Sequence, residues 1–140
     1  MFTLDPRLER DTILLGEFPL SKVLLMNDAR YPWLILVPKV TGVTELFQLN
    51  DKQQEQLMRE SNFVAKALND LVQADKMNVA ALGNVVSQLH IHHVARYQSD
   101  ETWPAPVWGK GEAVAYSEQE ITAVCQQITA VLSDLLHDAS

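Results

Sequence analysis

The segment Gln88-Leu89-His90-Ile91-His92-His93-Val94 decides both the fold and the candidate chemistry of this chain, because it holds three of the four histidines. Polar and apolar residues alternate through its first five positions, and a period of two predicts a β-strand. On a strand Gln88, His90 and His92 share one face, with neighbours about 7 Å apart. The two aliphatic residues between them face the core. The segment therefore predicts two imidazoles held side by side on a rigid strand.

The other two histidines have structural explanations. By strand parity His93 faces away from His90 and His92, so we expect a structural role for it. His137 falls in the last turn of a predicted C-terminal helix, where a histidine interacts favourably with the helix dipole. The candidate chemistry is therefore concentrated at His90 and His92.

Composition limits the classes of partner. The chain has 140 residues, 47% of them hydrophobic, which predicts a single globular domain, 1-140. Its net charge of -7 disfavours binding to a nucleic-acid duplex. A small phosphorylated ligand needs only a local pocket, so it remains open. No apolar run approaches the ~20 residues that cross a membrane. The first residues lack the pattern of a secretory signal, so we expect a cytoplasmic location.

A lone cysteine, Cys125, can form neither an internal disulfide nor a CxxC-type zinc site. Its spacing places it on the apolar side of a helix. We therefore expect a small core residue rather than a reactive thiol.

Hydrophobic runs between turn-forming stretches predict the strands. Three of them, 12-17, 22-27 and 33-37, form a meander. A fourth covers 77-82, and the histidine strand is the fifth. With the helices described next, these strands predict an α+β domain.

Two capping boxes mark the helix starts. Asn50 with Gln53 predicts a long helix from Asp51, whose apolar stripe packs on the sheet. Ser117 with Glu120 begins a C-terminal helix over about 118-137. The predicted apolar stripe of the long helix consists of Leu57, Val64, Leu68 and Leu71. The residues predicted on its opposite, polar side are Lys52, Gln53, Glu55, Arg59 and Glu60.

A loop over 97-116 contains Trp103 and Trp108 on either side of two prolines, which prevent regular structure. We expect an ordered loop that packs on its own domain or on a partner subunit. Burial of the indoles is favoured over stacking on a nucleotide base.

At the histidine strand the sequence resembles the histidine triad (HIT) superfamily, whose motif is His-φ-His-φ-His-φ-φ with φ apolar. Gln88 stands in the first position, His90 matches the central nucleophile and His92 the third histidine. The Gln-Leu-His sequence and the tryptophan loop are similar to a bacterial subgroup of the superfamily. The resemblance implies a HIT-like fold with a core over about 12-96: a sheet of about five antiparallel strands, a long helix packed on it and a C-terminal helix.

The same resemblance implies a function. A HIT-like hydrolase or transferase would attack the α-phosphate of a nucleotide derivative through a covalent histidine intermediate, without metal or other cofactor. His90 would be the nucleophile, with its Nδ1 bonded to the Gln88 carbonyl. His92 and the Gln88 amide would donate to the phosphate, and Asn27 and Asn84 would contact the ligand. A homodimer, built through the long helix and an edge strand, is also implied.

Three residues depart from the family pattern. Gln88 replaces an imidazole, Val85 stands where many members have Ser or Thr, and His93 replaces an apolar residue. The alternative function is therefore a nucleotide-binding or interaction protein with weakened turnover. In a third hypothesis His90 and His92 bind a metal together with a distant carboxylate.

Overall fold

A five-stranded antiparallel sheet forms the centre of the protein, as the sequence predicts. Across the sheet the strands follow the order first, second, third, fifth and fourth along the chain. The structure is a computed structural model, and it describes residues 1–138. Besides a 3₁₀ turn at Leu46–Gln48, the elements in chain order are α1 Pro6–Asp11, β1 Thr12–Glu17, β2 Ser21–Met26, β3 Trp33–Pro38, α2 Asp51–Val72, β4 Lys76–Ala81, β5 Ile91–Arg96 and α3 Glu118–Val131.

The histidine-bearing strand β5 lies between β3 and β4, and all six of its residues are buried. Its pairing with β3 sets Ile35 opposite His92 and Trp33 opposite Val94. Residues paired in this way lie on the same face of the sheet. The register therefore places Trp33 and Ile35 on the face that carries His92.

The two faces of the sheet have separate cores. On one face α2 and α3 cover Leu25, Leu36 and Ile91. On the other face α1 and the loop over 97-116 cover Leu24 and Ile35. Because successive side chains of each strand point to opposite faces of the sheet, they form two apolar layers. The second layer contains the candidate site.

Helix α2 begins at Asp51 with the predicted capping box of Asn50 and Gln53. Its inner face includes Leu57, Val64 and Leu68, as predicted, but also Glu60, which is fully buried. The prediction that placed Glu60 on the polar side is wrong. Its Oε2 accepts hydrogen bonds from the Leu20 backbone N–H and from Gln56, both at 2.8 Å. These bonds compensate for part of the cost of burial, because Oε1 is buried without a hydrogen-bond partner within residues 1–138.

Helix α3 begins as predicted, with the capping box of Ser117, but it ends at Val131 rather than near 137. His137 therefore lies outside the helix, and its predicted role at the helix end is wrong. Its backbone instead exchanges two hydrogen bonds with Glu17 in β1, at 2.8 and 2.9 Å. Gly16 permits this contact, because a Cβ there would lie 2.7 Å from the His137 carbonyl oxygen.

Cys125 on α3 is partly buried and packs against the core beneath α2 and α3. Burial raises the pKa of its thiol. Both observations agree with the core role predicted for it.

Helix α1 is the element that the sequence analysis missed. Asp5 caps it by accepting a hydrogen bond from the Arg7 backbone N–H, and Pro6 occupies its first turn. An acidic cap followed by proline is a recognised helix start, so the signal was present. Among residues 1–138, no helix is both long and apolar enough to span a bilayer.

Candidate active site

The two histidines of the predicted polar row lie together at the start of β5. His90 directly precedes the strand and His92 lies within it, with ring centroids 4.8 Å apart and each residue 5% exposed. The strand begins at Ile91, so Gln88 is in a bend rather than on the strand as predicted. Leu89 is nevertheless buried in the core beneath α2, which fixes the pair from behind.

The hydrogen bond of His90 defines its tautomer. Nδ1 lies 2.6 Å from the backbone carbonyl oxygen of Gln88. A carbonyl only accepts, so Nδ1 carries the proton and donates it. In the neutral ring this leaves the lone pair on Nε2, the arrangement that a nucleophilic imidazole needs.

His92 has the opposite tautomer. The Trp33 indole Nε1 lies 3.0 Å from His92 Nδ1. An indole N–H only donates, so Nδ1 is unprotonated and the proton of the neutral ring is on Nε2. Burial, and then the neighbouring His90, lower the pKa of His92 to about 3. His92 is therefore a neutral N–H donor near pH 7.

The loop over 97-116 brings Trp108 to the site. Its ring centroid lies 5.3 Å from that of His92 and 6.0 Å from that of Trp33, both in edge-on geometry. The loop is ordered and packs on its own domain, one of the two arrangements predicted. Trp108 is only partly buried and reaches the pocket, so burial and ligand contact are not alternatives for this indole.

A salt bridge between Arg96 and Asp100 holds this loop in place. Arg96, at the end of β5 and 1% exposed, donates to both carboxylate oxygens of Asp100 at 2.8 and 3.1 Å. Asp100 also accepts from the backbone N–H groups of Tyr97, Thr102 and Trp103. The Arg96 guanidinium, followed by these backbone donors, lowers the pKa of Asp100 to about 2. The loop that carries Trp108 is thus fastened to the histidine strand.

A pocket of about 490 Å³ opens in front of the two histidines. We call it the histidine pocket. Its lining is mainly apolar, with one cation, Arg7, and one carboxylate, Asp11, both from α1. A smaller and more polar pocket of about 260 Å³ adjoins it and shares His90 and Asn84. The lining residues of the histidine pocket are Arg7, Leu8, Asp11, Thr12, Met26, Ile35, Leu82, Asn84, Val85, Val86, His90, His92, Trp108 and Gly109.

The three amide side chains that were predicted to contact the ligand, Asn84, Asn27 and Gln88, have different surroundings. Asn84 lines both pockets beside His90. The Asn27 side chain accepts a hydrogen bond from the Tyr116 backbone at 2.9 Å, and Asn27 is not among the lining residues. The Gln88 amide bonds to Thr3 and Asp5 in the N-terminal segment. Ligand contact by Asn27 and Gln88 stays a prediction, and in this structure both side chains hold other parts of the chain.

His93 faces the opposite side of the sheet, as strand parity predicts. It is fully buried, and its Nε2 lies 2.7 Å from the Ser61 hydroxyl of α2. Burial lowers the pKa of His93 to about 4. The residue therefore joins strand to helix, which is a structural role.

The metal hypothesis requires a third ligand near His90 and His92. Within residues 1–138 there is no group of three or more His, Cys, Asp or Glu arranged to hold a metal ion. The two histidines also have opposite tautomers set by Gln88 and Trp33, which matches a nucleophile and donor pair.

Comparisons with known proteins agree on one family. The family model described as "HIT domain" matches residues 7–99. A crystal structure of a histidine triad protein from Marinobacter aquaeolei VT8 is 49% identical, covers 96% of this chain and 98% of its own, and superposes with a TM-score of 0.95. A histidine triad protein from Sinorhizobium meliloti 1021 is 46% identical, with coverages of 93% and 96% and a TM-score of 0.91.

A third solved structure, of a histidine triad protein from Bradyrhizobium japonicum, is 44% identical, with coverages of 92% and 96% and a TM-score of 0.90. No match to the chain was found among curated proteins.

Proposed function

We propose that this chain, which belongs to the HIT domain family, is an enzyme that acts at the α-phosphate of a nucleotide derivative through a covalent intermediate on His90. The family is one of nucleotide-binding proteins, hydrolases and transferases. The observation that carries the proposal is the pair of opposite tautomers: an imidazole with a free Nε2 lone pair lies beside an imidazole with an Nε2 proton.

In the proposed first step His90 Nε2 attacks the α-phosphorus, and the bond from phosphorus to the leaving group breaks. The leaving group takes a proton from solvent. Positive charge on the His90 ring is stabilised by the Gln88 carbonyl, which accepts the Nδ1–H bond. Water or another acceptor then attacks the phosphorus and releases a proton to solvent, the P–N bond breaks, and the nucleotide leaves with neutral His90 restored.

The residues around His90 suit the charges of this reaction. His92, a neutral donor, and Asn84, at the junction of the two pockets, are our proposed donors to the phosphate oxygens. The apolar lining formed by Met26, Ile35 and Trp108 is suited to a base and ribose. Since His90 supplies the nucleophile, we propose no metal, and turnover should continue in EDTA.

The test is intact-protein mass spectrometry after a neutral quench, with adenosine and guanosine phosphoramidates and polyphosphates as substrates. We expect a mass increase of one nucleotidyl group, a nucleoside monophosphate less one water, in the native protein and none in His90→Ala. The matched control is His137→Ala, the same substitution at an exposed histidine that is not among the residues lining the histidine pocket. Nucleotide binding without an adduct or product would instead support the alternative, a binding protein with weakened turnover.

We also propose a homodimer formed through β4 and α2. β4 is an edge strand whose Val79 is 49% exposed, and Met58 of α2, which lines the same surface groove as Val79, is 61% exposed. An edge strand with adjacent apolar side chains favours pairing with a second copy. Sedimentation should give a dimer at micromolar concentration and a monomer for Val79→Asp. The cytoplasmic location stays a prediction.

A further inference from the structure

The side chain of Gln88 binds two backbone groups of the N-terminal segment. Its Oε1 accepts from the Asp5 N–H at 2.8 Å, and its Nε2 donates to the Thr3 carbonyl at 2.9 Å. A donor and an acceptor side by side match the C=O and N–H that residues i and i+2 of an extended chain direct to the same side. The amide thus acts as a peptide group of a neighbouring strand would.

A histidine could not make the same pair of bonds. The two nitrogens of an imidazole point in divergent directions, and in the neutral ring one donates and the other accepts. The carboxamide presents both functions at one end of a flexible side chain. The carboxamide at position 88 is therefore matched to the segment that it binds.

The bonded segment leads directly into the histidine pocket. Asp5 caps α1, and Arg7, Leu8 and Asp11 of that helix line the pocket. Leu8 is 6% exposed and packs in the core of the same sheet face. A second bond, from Arg7 Nη1 to the Val85 carbonyl at 3.0 Å, joins the helix to the loop that precedes the histidine motif.

We propose that Gln88 is a positioning residue for the ligand site: its side chain fixes residues 3-5, so that α1 forms one side of the histidine pocket. Its backbone carbonyl separately orients His90. The inference rests on the proposed function for the identity of the ligand, a nucleotide. The fixing of α1 by Gln88 does not depend on that identity.

Two variants separate the side chain from the backbone. Gln88→Met keeps the length of the side chain and the backbone carbonyl that binds His90, but removes both hydrogen bonds of the side-chain amide. Gln88→Glu keeps an acceptor for the Asp5 N–H and loses the donor to Thr3. Gln54→Met is the matched control, since it deletes one amide bond, to the Leu49 carbonyl, at the start of α2.

Residue-resolved hydrogen exchange by NMR measures the fixing directly. In Gln88→Met we expect exchange of the Asp5 amide to rise roughly 10- to 30-fold, the effect of losing two ordinary hydrogen bonds. The rise in Gln88→Glu should be smaller, and Gln54→Met should leave the Asp5 amide unchanged. An unchanged Asp5 amide in Gln88→Met would overturn the inference.

AMP titration, followed by the intrinsic tryptophan fluorescence to which Trp108 in the pocket contributes, measures the consequence for the ligand. The Kd for AMP should rise about 3- to 10-fold in Gln88→Met, from part of the same lost bonding, and the KM for an adenosine phosphoramidate should rise with it. A fall in kcat at unchanged Asp5 exchange would make Gln88 a phosphate donor instead. Faster exchange with an unchanged Kd would contradict the role of α1 in the pocket.

The two proposals can fail separately. If the native protein neither binds AMP nor turns over any phosphoramidate, the proposed function fails. The fixing of α1 by Gln88 is then decided by the exchange experiment alone, where a rise supports it and no rise overturns it.

Discussion

His92 and His93 are consecutive residues of one strand, and they show how the surroundings of a buried imidazole decide its use. Both rings are neutral, since burial lowers the pKa of His92 to about 3 and of His93 to about 4. Each makes a hydrogen bond to a side chain distant in sequence, Trp33 for His92 and Ser61 for His93. One ring faces a pocket beside His90, whereas the other faces a helix.

Because His92 and His93 have similar pKa shifts but different surroundings, a shifted pKa alone does not mark a catalytic residue here. Burial is the first cause of both shifts, but His92 lines the histidine pocket, whereas His93 is fully buried and contacts Ser61 of α2. Substitution of the histidine on each face of β5 in turn, followed by measurement of turnover, tests whether the two faces differ in function.

The largest expected effect is on the pocket face. His90→Gly should reduce turnover by roughly 10³-fold or more, because the nucleophile is lost. Added imidazole should restore part of the rate, since the deletion leaves space beside the pocket. Steady-state kinetics with and without imidazole measure both effects.

The matched change on the helix face is His93→Leu with Ser61→Ala, which removes both partners of the buried bond and leaves neither unpaired. Turnover should stay within about threefold of the native value, less than 1 kcal/mol. Equal losses in the two variants would show that the faces are not functionally distinct.

The second effect is on stability against pH. Unfolded, His93 has a pKa near 6.5, and folded it has one of about 4. Between these values the unfolded chain binds more protons, so the free energy of unfolding falls as the pH is lowered from 6.5 to 4. At about 1.4 kcal/mol per pKa unit, the loss assigned to His93 is about 3 kcal/mol.

Urea unfolding at pH 7.0, 5.5 and 4.5 measures this loss. His93→Leu with Ser61→Ala should have a shallower dependence on pH than the native protein, although His92 keeps part of the slope. His137→Gln, a change at an exposed histidine outside the sheet core, is the control. An identical slope in the double variant and the native protein would refute the assignment to His93.

The sequence could predict the strand and helix pattern because its signals are local. The alternation through His90 and His92 and the capping box at Asn50 each lie within a few residues, and the structure confirms the strand and helix that they predict. The extra length given to the C-terminal helix had a local cause too: its apolar spacing continues to Leu135, although the helix ends at Val131.

The surroundings of the histidines could not be predicted, because their partners are distant in sequence. Trp33 bonds to His92 across 59 residues, and Gln88 bonds to Asp5 across 83. Nothing in the pattern around Trp33 or Asp5 indicates either partner. Only the pairing of β3 with β5 and the packing of α1 bring these groups together.

The smallest expected effect concerns the bond that distinguishes His92 from His93. Trp33→Phe keeps an aromatic ring but removes the N–H that holds His92 Nδ1 unprotonated. We expect His92 to populate both neutral tautomers, and kcat to fall about tenfold with little change in KM, the cost of one hydrogen bond that orients a donor. The ¹⁵N chemical shifts of the His92 ring report the tautomer, and steady-state kinetics report kcat.

Tyr31→Phe is the control for that prediction, because it removes a hydrogen bond, to Thr102, from the same aromatic cluster without touching His92. A structural loss in the cluster would lower kcat in both variants and leave the ¹⁵N shifts of His92 unchanged. A positioning role for Trp33 requires instead that the shifts and kcat change together in Trp33→Phe alone. The surroundings of His92, and not its burial, would then account for its difference from His93.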